Sequence, residues 1–283
     1  YFVFDADNVL DQNYILEMNK TFSDGYDIIT SYRNSKNYGD NWISSGYAIW
    51  FLWESEFLNR GRMLLGTSCA VSGTGFFFSR RIIEKYGGWK FFLLTEDIQF
   101  TVDNVLSGEK IGYCRQAMLY DEQPVKFQQS FRQRMRWAKG FFQVFHRYGL
   151  DLFKGSLQRN TSCYDMLMVI MPAIILTLFT LIFNGSMILF GDYTTYQDDL
   201  IMMMMGRMIL NMYLMLVFIA TVTTATQWKN IHTTSFKKLA YIFTFPFFMF
   251  TYIPITIVAF FKKVEWQPIE HSRAKTLAEI KEG

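Results

Sequence analysis

The sequence predicts an α/β globular part over residues 1–163 and an α-helical transmembrane region over residues 164–261, followed by a polar tail over 262–283. Three observations carry this. Short β-branched and aromatic runs alternate with helix-period runs in the first part. Acids and glycines punctuate the ends of those runs. Apolar residues make up 51% of the chain, and they concentrate in its second half.

The elements follow in order. Tyr1–Phe4 reads as a buried strand that ends in acids. No initiator Met, signal peptide or preceding βα unit is visible, so an N-terminal portion is expected to be missing. Asp11–Phe22 reads as a short helix, and Tyr26–Tyr32, bounded by Asp24-Gly25, as a second strand. Residues 41–60 carry Trp42, Ile43, Tyr47, Trp50, Phe51, Glu54, Phe57 and Leu58 at helical spacing. Gly73–Ser79 is a turn feeding a strand. Thr95 stands as N-cap of a helix to Leu106, with Glu96 and Asp97 favourable in its first turn. Ile111–Tyr120 is another strand. Pro124 precedes a long helix over 125–147.

Tyr164–Phe190, Leu200–Thr226 and Leu239–Phe261 each exceed the ~20 apolar residues that cross a bilayer. They lack strand alternation, so helices are expected. The linker Gly191–Asp199 carries acids and no Lys or Arg, whereas Gln227–Lys238 carries Lys229, Lys237 and Lys238. The first then faces out, the second faces in, and the globular part is cytoplasmic. One conflict stands. Three crossings put the tail outside, yet Lys262, Lys263, Arg273 and Lys275 favour inside. Pro246 and Pro254 allow the last run to bend or re-enter.

The net charge of +3 is too small to indicate nucleic acid. Three cysteines, Cys69, Cys114 and Cys163, show no CxxC spacing and read as reduced thiols. His146, His232 and His271 lie too far apart in sequence to suggest a histidine metal site.

Asp5 and Asp7 share a face if they extend the first strand, and paired carboxylates suit Mg²⁺ or Mn²⁺. The plain alternative is a polar strand-ending turn. Asp97 is a candidate general base for an acceptor hydroxyl, with Glu96 orienting it, although both also suit a helix start. Gln133, Arg134, Arg136 and Trp137 lie on the long helix. Guanidinium matches a diphosphate and indole offers a sugar a stacking face. The same helix also reads as amphipathic at a membrane surface. Gly73, Thr74 and Gly75 allow close backbone approach to an acceptor. Asn184, Arg207 and Asn211 fall in predicted crossings. Arg207 is a candidate for a polar translocation path, or for snorkelling to the outer surface.

Taken in order, Phe4-Asp5-Ala6-Asp7-Asn8, Ser72-Gly73-Thr74-Gly75-Phe76, Leu94-Thr95-Glu96-Asp97 and Gln133-Arg134-Met135-Arg136-Trp137, followed by membrane runs, resemble the membrane-embedded family 2 glycosyltransferases. The likeness is to processive β-glycan synthases: those of poly-N-acetylglucosamine, hyaluronan, cellulose and chitin. It implies a Rossmann-like GT-A fold, incomplete here at its N-terminus, and an inverting hexosyltransferase. By resemblance, Asp5 and Asp7 bind the divalent metal and the donor diphosphate. Asp97 is the base, Gln133 and Arg136 hold the donor, and Trp137 meets the acceptor. Arg134 occupies a variable position of that motif. The helix over 125–147 becomes an interface helix below a transmembrane channel. The implied partners are a UDP-sugar, foremost UDP-N-acetylglucosamine, a growing polysaccharide, membrane lipid and accessory export subunits. The implied location is the plasma membrane. Two other readings compete: a non-processive transferase acting on a membrane lipid, and a non-catalytic membrane scaffold.

Overall fold

The apolar run Ile28-Ile29 has no polar face, which is what a strand buried on both sides requires. In a computed structural model of the chain, which describes residues 1–170, 180, 182–186, 195–265 and 275–282, that run lies in the central strand. The strands are β1 (Phe2–Val3), β2 (Val9–Leu10), β3 (Ile28–Ser35), β4 (Phe76–Phe78) and β5 (Ile111–Asp121). Their order in the sheet is β1-β4-β3-β5-β2. β3 and β5 run parallel, with Ile28 opposite Ile111, and the other three pairings are antiparallel.

Helices cover both faces, as the α/β expectation requires. Helix α1 (Tyr14–Ser23) packs Tyr14 and Met18 against Ile29 and Leu119 on one face. The other face, through Ile28 and Tyr32, meets α2 (Trp42–Trp53) and, beyond Phe76 and Phe78, α5 (Glu96–Leu106). Asn41 starts α2 with a reciprocal capping box shared with Ser44. A π-helical turn, Glu54–Asn59, joins α2 to α3 (Arg60–Leu65), and α4 (Arg80–Tyr86) follows β4.

Several expected boundaries move. The long helix, α6, spans Phe127–Leu157 and so runs ten residues beyond Arg147. The next helix, α7 (Thr161–Ile170), buries Cys163, Met166, Leu167 and Ile170 in the main core. The expected domain boundary at residue 163 therefore falls inside a helix whose first turns belong to the globular part. Thr95 makes no side-chain cap bond. The two-residue strand β2 was not legible in the sequence. All three cysteines are free and buried.

Two described helices are long and apolar enough to cross a membrane, Met202–Thr226 and Ser235–Phe261. The first lies in α8 (Thr195–Thr226). The second consists of α9 (Ser235–Phe250) and α10 (Tyr252–Phe261), joined at Thr251. Most of the run over 164–190 lies outside the described residues, as do residues 191–194 of the acidic linker.

The α9–α10 helix lies along the globular part from end to end. Lys237 Nζ donates to Gly39 O at 2.7 Å near its start. Phe248 meets Tyr47 midway, with ring centroids 4.9 Å apart. Ile255 and Ala259 pack on Met135, and Phe260 meets Phe142 at 5.5 Å near its end. The tail then returns to the sheet. In α11 (Leu277–Glu282), Ile280 is buried and Lys281 pairs with Asp11 at 2.9 Å. Lys275 Nζ donates to Lys36 O at 3.4 Å. His271 and Arg273 lie outside the described residues.

Candidate active site

The first acids converge through a turn and not, as expected, along a strand. β1 ends at Val3, and residues 4–8 fold back before β2 begins. Asn8 N donates to Asp5 O at 3.0 Å and closes the turn. Thr74 Oγ1 accepts from Asp5 N at 2.9 Å and itself bonds Asn8 Oδ1. Asp7 Oδ2 accepts from Glu122 N at 3.0 Å. Thr74 thus braces the acidic turn, where an acceptor contact was expected.

A third carboxylate joins them. Oxygens of Asp5, Asp7 and Asp121 lie within 4.8 Å of one another. Asp121, at the end of β5, was not a candidate from sequence. Its distance in the chain hid it, and the β3–β5 pairing brings it in. Its buried carboxylate accepts from Arg33 Nε at 3.0 Å and also from Arg33 Nη2. Burial alone raises an acid, but Arg33 and the surrounding hydrogen bonds bring Asp121 below the ordinary carboxylate value. Lys36 Nζ stands 4.0 Å from Asp7 Oδ2 and donates to the Asp7 carbonyl. Three hard oxygen donors balanced by two cations fit Mg²⁺ or Mn²⁺.

The loop 72–75 connects this cluster to the candidate base. Gly75 N donates to Val3 O at 2.9 Å, and Gly73 N donates to Asp97 Oδ2 at 2.6 Å. Gly75 has φ +70°, and a Cβ there would stand 1.8 Å from Leu119 Cδ2, so only glycine fits. Glu96 and Asp97 begin α5. Burial raises the carboxyl of Asp97 despite the Ile98 and Gly73 amides and the charge of Arg136. Burial, and then Asp97, raise that of Glu96. A cavity of about 280 Å³ opens beside both acids, lined by Val3, Gly73, Phe76, Phe78 and Trp89.

Helix α6 presses on the loop before these acids. A Cβ at Gly140 would stand 2.5 Å from Thr95 Oγ1 and Cγ2. Gln143 Oε1 accepts from Leu94 N at 3.2 Å, and Arg136 Nη1 donates to Leu94 O at 3.0 Å. Arg136 is thereby fixed beside Asp97. Trp137 is half-buried, edge-on to Tyr47 and Phe51 at 5.7 and 6.2 Å. Gln133 is half-buried nearby on the same helix.

Arg134 does not join them. It is fully buried and donates to Phe248 O at 3.1 Å and Thr251 Oγ1 at 2.7 Å. Phe248 and Tyr252 rings flank it at 4.3 and 4.8 Å. Its helix position turns it toward α9–α10, so the expected diphosphate contact is replaced by a helix–helix clasp. Arg207 lies exposed on α8.

Arg33 and Glu54 are further residues that sequence reasoning missed as site groups. Arg33 lies 3.7 Å over the Phe51 ring and donates to Ser72 O at 3.1 Å. Burial raises the carboxyl of Glu54, at the start of the π-helical turn, while Arg33 and Arg62 oppose this. A π-turn inside a helix is a usable sequence-independent sign of a site.

A probable glycosyltransferase of Bacillus subtilis (strain 168), YdaM, is 31% identical over 118 residues, covering 42% of this chain and 27% of that protein. A UDP-forming cellulose synthase of Dictyostelium discoideum, matched in its catalytic chain, is 25% identical over 142 residues, covering 49% and 13% respectively. A probable glycosyltransferase of Sulfolobus acidocaldarius is 26% identical over 103 residues, covering 36% and 22%. The matches thus span about a quarter or less of these curated relatives. The family described as glycosyl transferase family group 2 matches residues 2–261, nearly the whole chain, which therefore belongs to it.

Proposed function

We propose that this chain carries the catalytic centre of an inverting glycosyltransferase that moves a sugar from a UDP-sugar onto a growing β-linked polysaccharide. The single observation that carries the reading is Asp97. It is half-buried at a helix start beside the cavity, gripped by Gly73 N, and bridged by one loop to the acid cluster. That is the arrangement a base beside a diphosphate site requires.

In the reaction, the acceptor hydroxyl oxygen bonds to the anomeric carbon as the bond to the UDP oxygen breaks. The hydroxyl proton passes to an Asp97 oxygen, and UDP leaves with the electron pair. Asp5 and Asp7, with Asp121 close by, would hold a divalent cation, which when bound would neutralise charge on the leaving diphosphate. Arg136 adds a fixed positive charge on the same side as Asp97. Glu96 orients the base, Gln133 contacts the donor, and Trp137 offers the acceptor a ring face. UDP-N-acetylglucosamine is the favoured donor, on the overall look of the sequence. The runs at 164–190 and 200–226 cross the plasma membrane and carry the product outward, with Arg207 on the path and any export subunits beyond it.

The test uses membranes holding the full natural chain, Mn²⁺, and labelled UDP-N-acetylglucosamine, UDP-glucose, or UDP-glucuronate with UDP-N-acetylglucosamine. Long polymer from UDP-N-acetylglucosamine, lost in Asp97→Asn, is the expected result. One sugar added to lipid would replace the polymerase reading by the lipid transferase. Turnover unchanged in Asp97→Asn would remove the catalytic assignment.

A further inference from the structure

The end of β3 sends its side chains two ways. Alternation along a strand puts Tyr32 and Asn34 on one side and Arg33 on the other. The Tyr32 hydroxyl donates to Gln227 Oε1 at 2.6 Å, and Asn34 Nδ2 donates to Asn230 O at 2.9 Å, so both serve the turn between α8 and α9. Arg33 is left to the site. A bulge in β5 supplies its partner. Ser31 stands opposite Cys114, but Tyr32 stands opposite Met118, so Arg115, Gln116 and Ala117 bulge out of the pairing with β3. The shifted register places Asp121 opposite Ser35, within reach of Arg33.

The guanidinium of Arg33 divides its donors. Nε and Nη2 donate to Asp121, while Nη1 donates to Ser72 O at 3.1 Å. The Phe51 ring covers its face at 3.7 Å and holds the fork in one plane. Ser72 C=O and Gly73 N–H belong to one peptide unit, and in a trans peptide they point to opposite sides. Gly73 N donates to Asp97 Oδ2 at 2.6 Å. A single peptide plane therefore stands between Arg33 and the candidate base. Gly73 has φ +75°, and a Cβ there would stand 3.4 Å from Arg33 Nη1, so a side chain would be both strained and crowded.

We infer that Arg33 is a positioning residue, which sets Asp97 through the Ser72–Gly73 peptide according to whether the acid cluster is occupied. The inference rests on the reading of Asp97 as the base and of the three acids as a cation site. Its physical basis is a shared donor. Asp121 and Ser72 O both draw on the one guanidinium, and hydrogen bonds in such a chain polarise one another. When Asp121 shares its charge with a divalent cation, the guanidinium leans on Ser72 O, and the polarised peptide donates more strongly from Gly73 N to Asp97. The base is then best held when the donor side is filled. A lysine at this position could pair with Asp121, but it lacks the fork that reaches both acceptors.

The readout is hydrogen exchange at the Gly73 amide, resolved by overlapping peptides, in the full natural chain with and without Mn²⁺ and UDP. Thr74 and Gly75 are already tied to the acidic turn and to Val3, so their amides do not discriminate. Mn²⁺ with UDP is expected to slow exchange at Gly73 severalfold. Arg33→Lys should abolish that slowing while electron paramagnetic resonance still shows Mn²⁺ bound. It should also lower kcat about tenfold with the donor KM little changed. If Gly73 in the unaltered protein ignores bound Mn²⁺ and UDP, the inference falls without any variant. If Arg33→Lys keeps both the slowing and kcat while Asp97→Asn is inactive, the relay falls and the base stands. If Asp97→Asn turns over unchanged, or if Mn²⁺ does not bind at all, the assignment of the base or of the cation site fails and takes the relay with it. If Arg33→Lys speeds exchange across the whole sheet and lowers the thermal midpoint, Arg33 is only structural and the inference is overturned.

Discussion

A carboxylate that acts as a base has to be both reachable and reluctant to stay ionised, and Asp97 meets the second condition through burial. Its proton affinity in the fold exceeds that of a solvated aspartate at 3.8. The base works only when ionised, so activity should fall with acid on a limb displaced above that value, read from kcat/KM against pH. The same shift acts on stability. The unfolded chain releases this proton first, so ionised Asp97 destabilises the fold as pH rises from 3.8, and the cost is complete above the raised folded value. At neutral pH Asp97→Asn should therefore abolish transfer while raising the thermal midpoint, by about 1 kcal/mol in stability. An amide oxygen can still accept from Gly73 N, which keeps the loop in place. A lower midpoint would mean that the negative charge itself holds the site together. Asp121 argues the opposite way. Its charge is matched by Arg33 and stands among the other acids, so Asp121→Asn should weaken Mn²⁺ binding about tenfold, read by electron paramagnetic resonance.

At the scale of elements, the site is an agreement between a short loop and a long helix. Gly140 has no Cβ because Thr95 occupies its space, so α6 seats directly on the turn that presents Glu96 and Asp97. Gly140→Ala should push the two apart and lower kcat roughly tenfold with the donor KM little changed. Adding Thr95→Ala removes both atoms that clash at 2.5 Å and should recover much of the loss. Failure of that rescue would show that the glycine serves helix geometry and not this contact. These elements also show what the sequence could carry. Helical spacing located α2, the acids at a helix start located α5, and Pro124 marked the approach to α6, because each of these signals is local in the chain. Asp5, Asp7 and Asp97 were legible because each stands where an apolar run stops. Asp121 and Arg33 were not, since a strand pairing across nearly ninety residues makes them neighbours. Arg134 was misread for a related reason. Its residue type suits a diphosphate, but its place on the helix turns it to the apolar side, where Phe248 and Tyr252 await it.

At the scale of the whole molecule, the proposed membrane reading makes a prediction about which apolar runs cross a bilayer. Composition alone counts Leu239–Phe261 as a third crossing, which would leave a basic tail outside. A helix of 27 residues is about 40 Å long, enough to carry one end well away from the domain. Instead Lys237, Phe248, Ile255 and Phe260 all touch the globular part, and Arg134 clasps the junction at Thr251. Lys281 then reaches Asp11, a few residues from the acidic turn. A crossing helix cannot keep both of its ends against one globular domain on one side of the bilayer. The expectation is therefore two crossings, at 164–190 and 200–226, with α9–α10 laid along the domain and the tail on the catalytic side. That also agrees with the charge of the tail, which three crossings did not. In right-side-out vesicles or intact cells, cysteines at Lys281 and Lys20 should both resist a membrane-impermeant maleimide and both react after permeabilisation. Labelling at Lys281 before permeabilisation, with Lys20 protected, would restore the third crossing and separate the tail from the site.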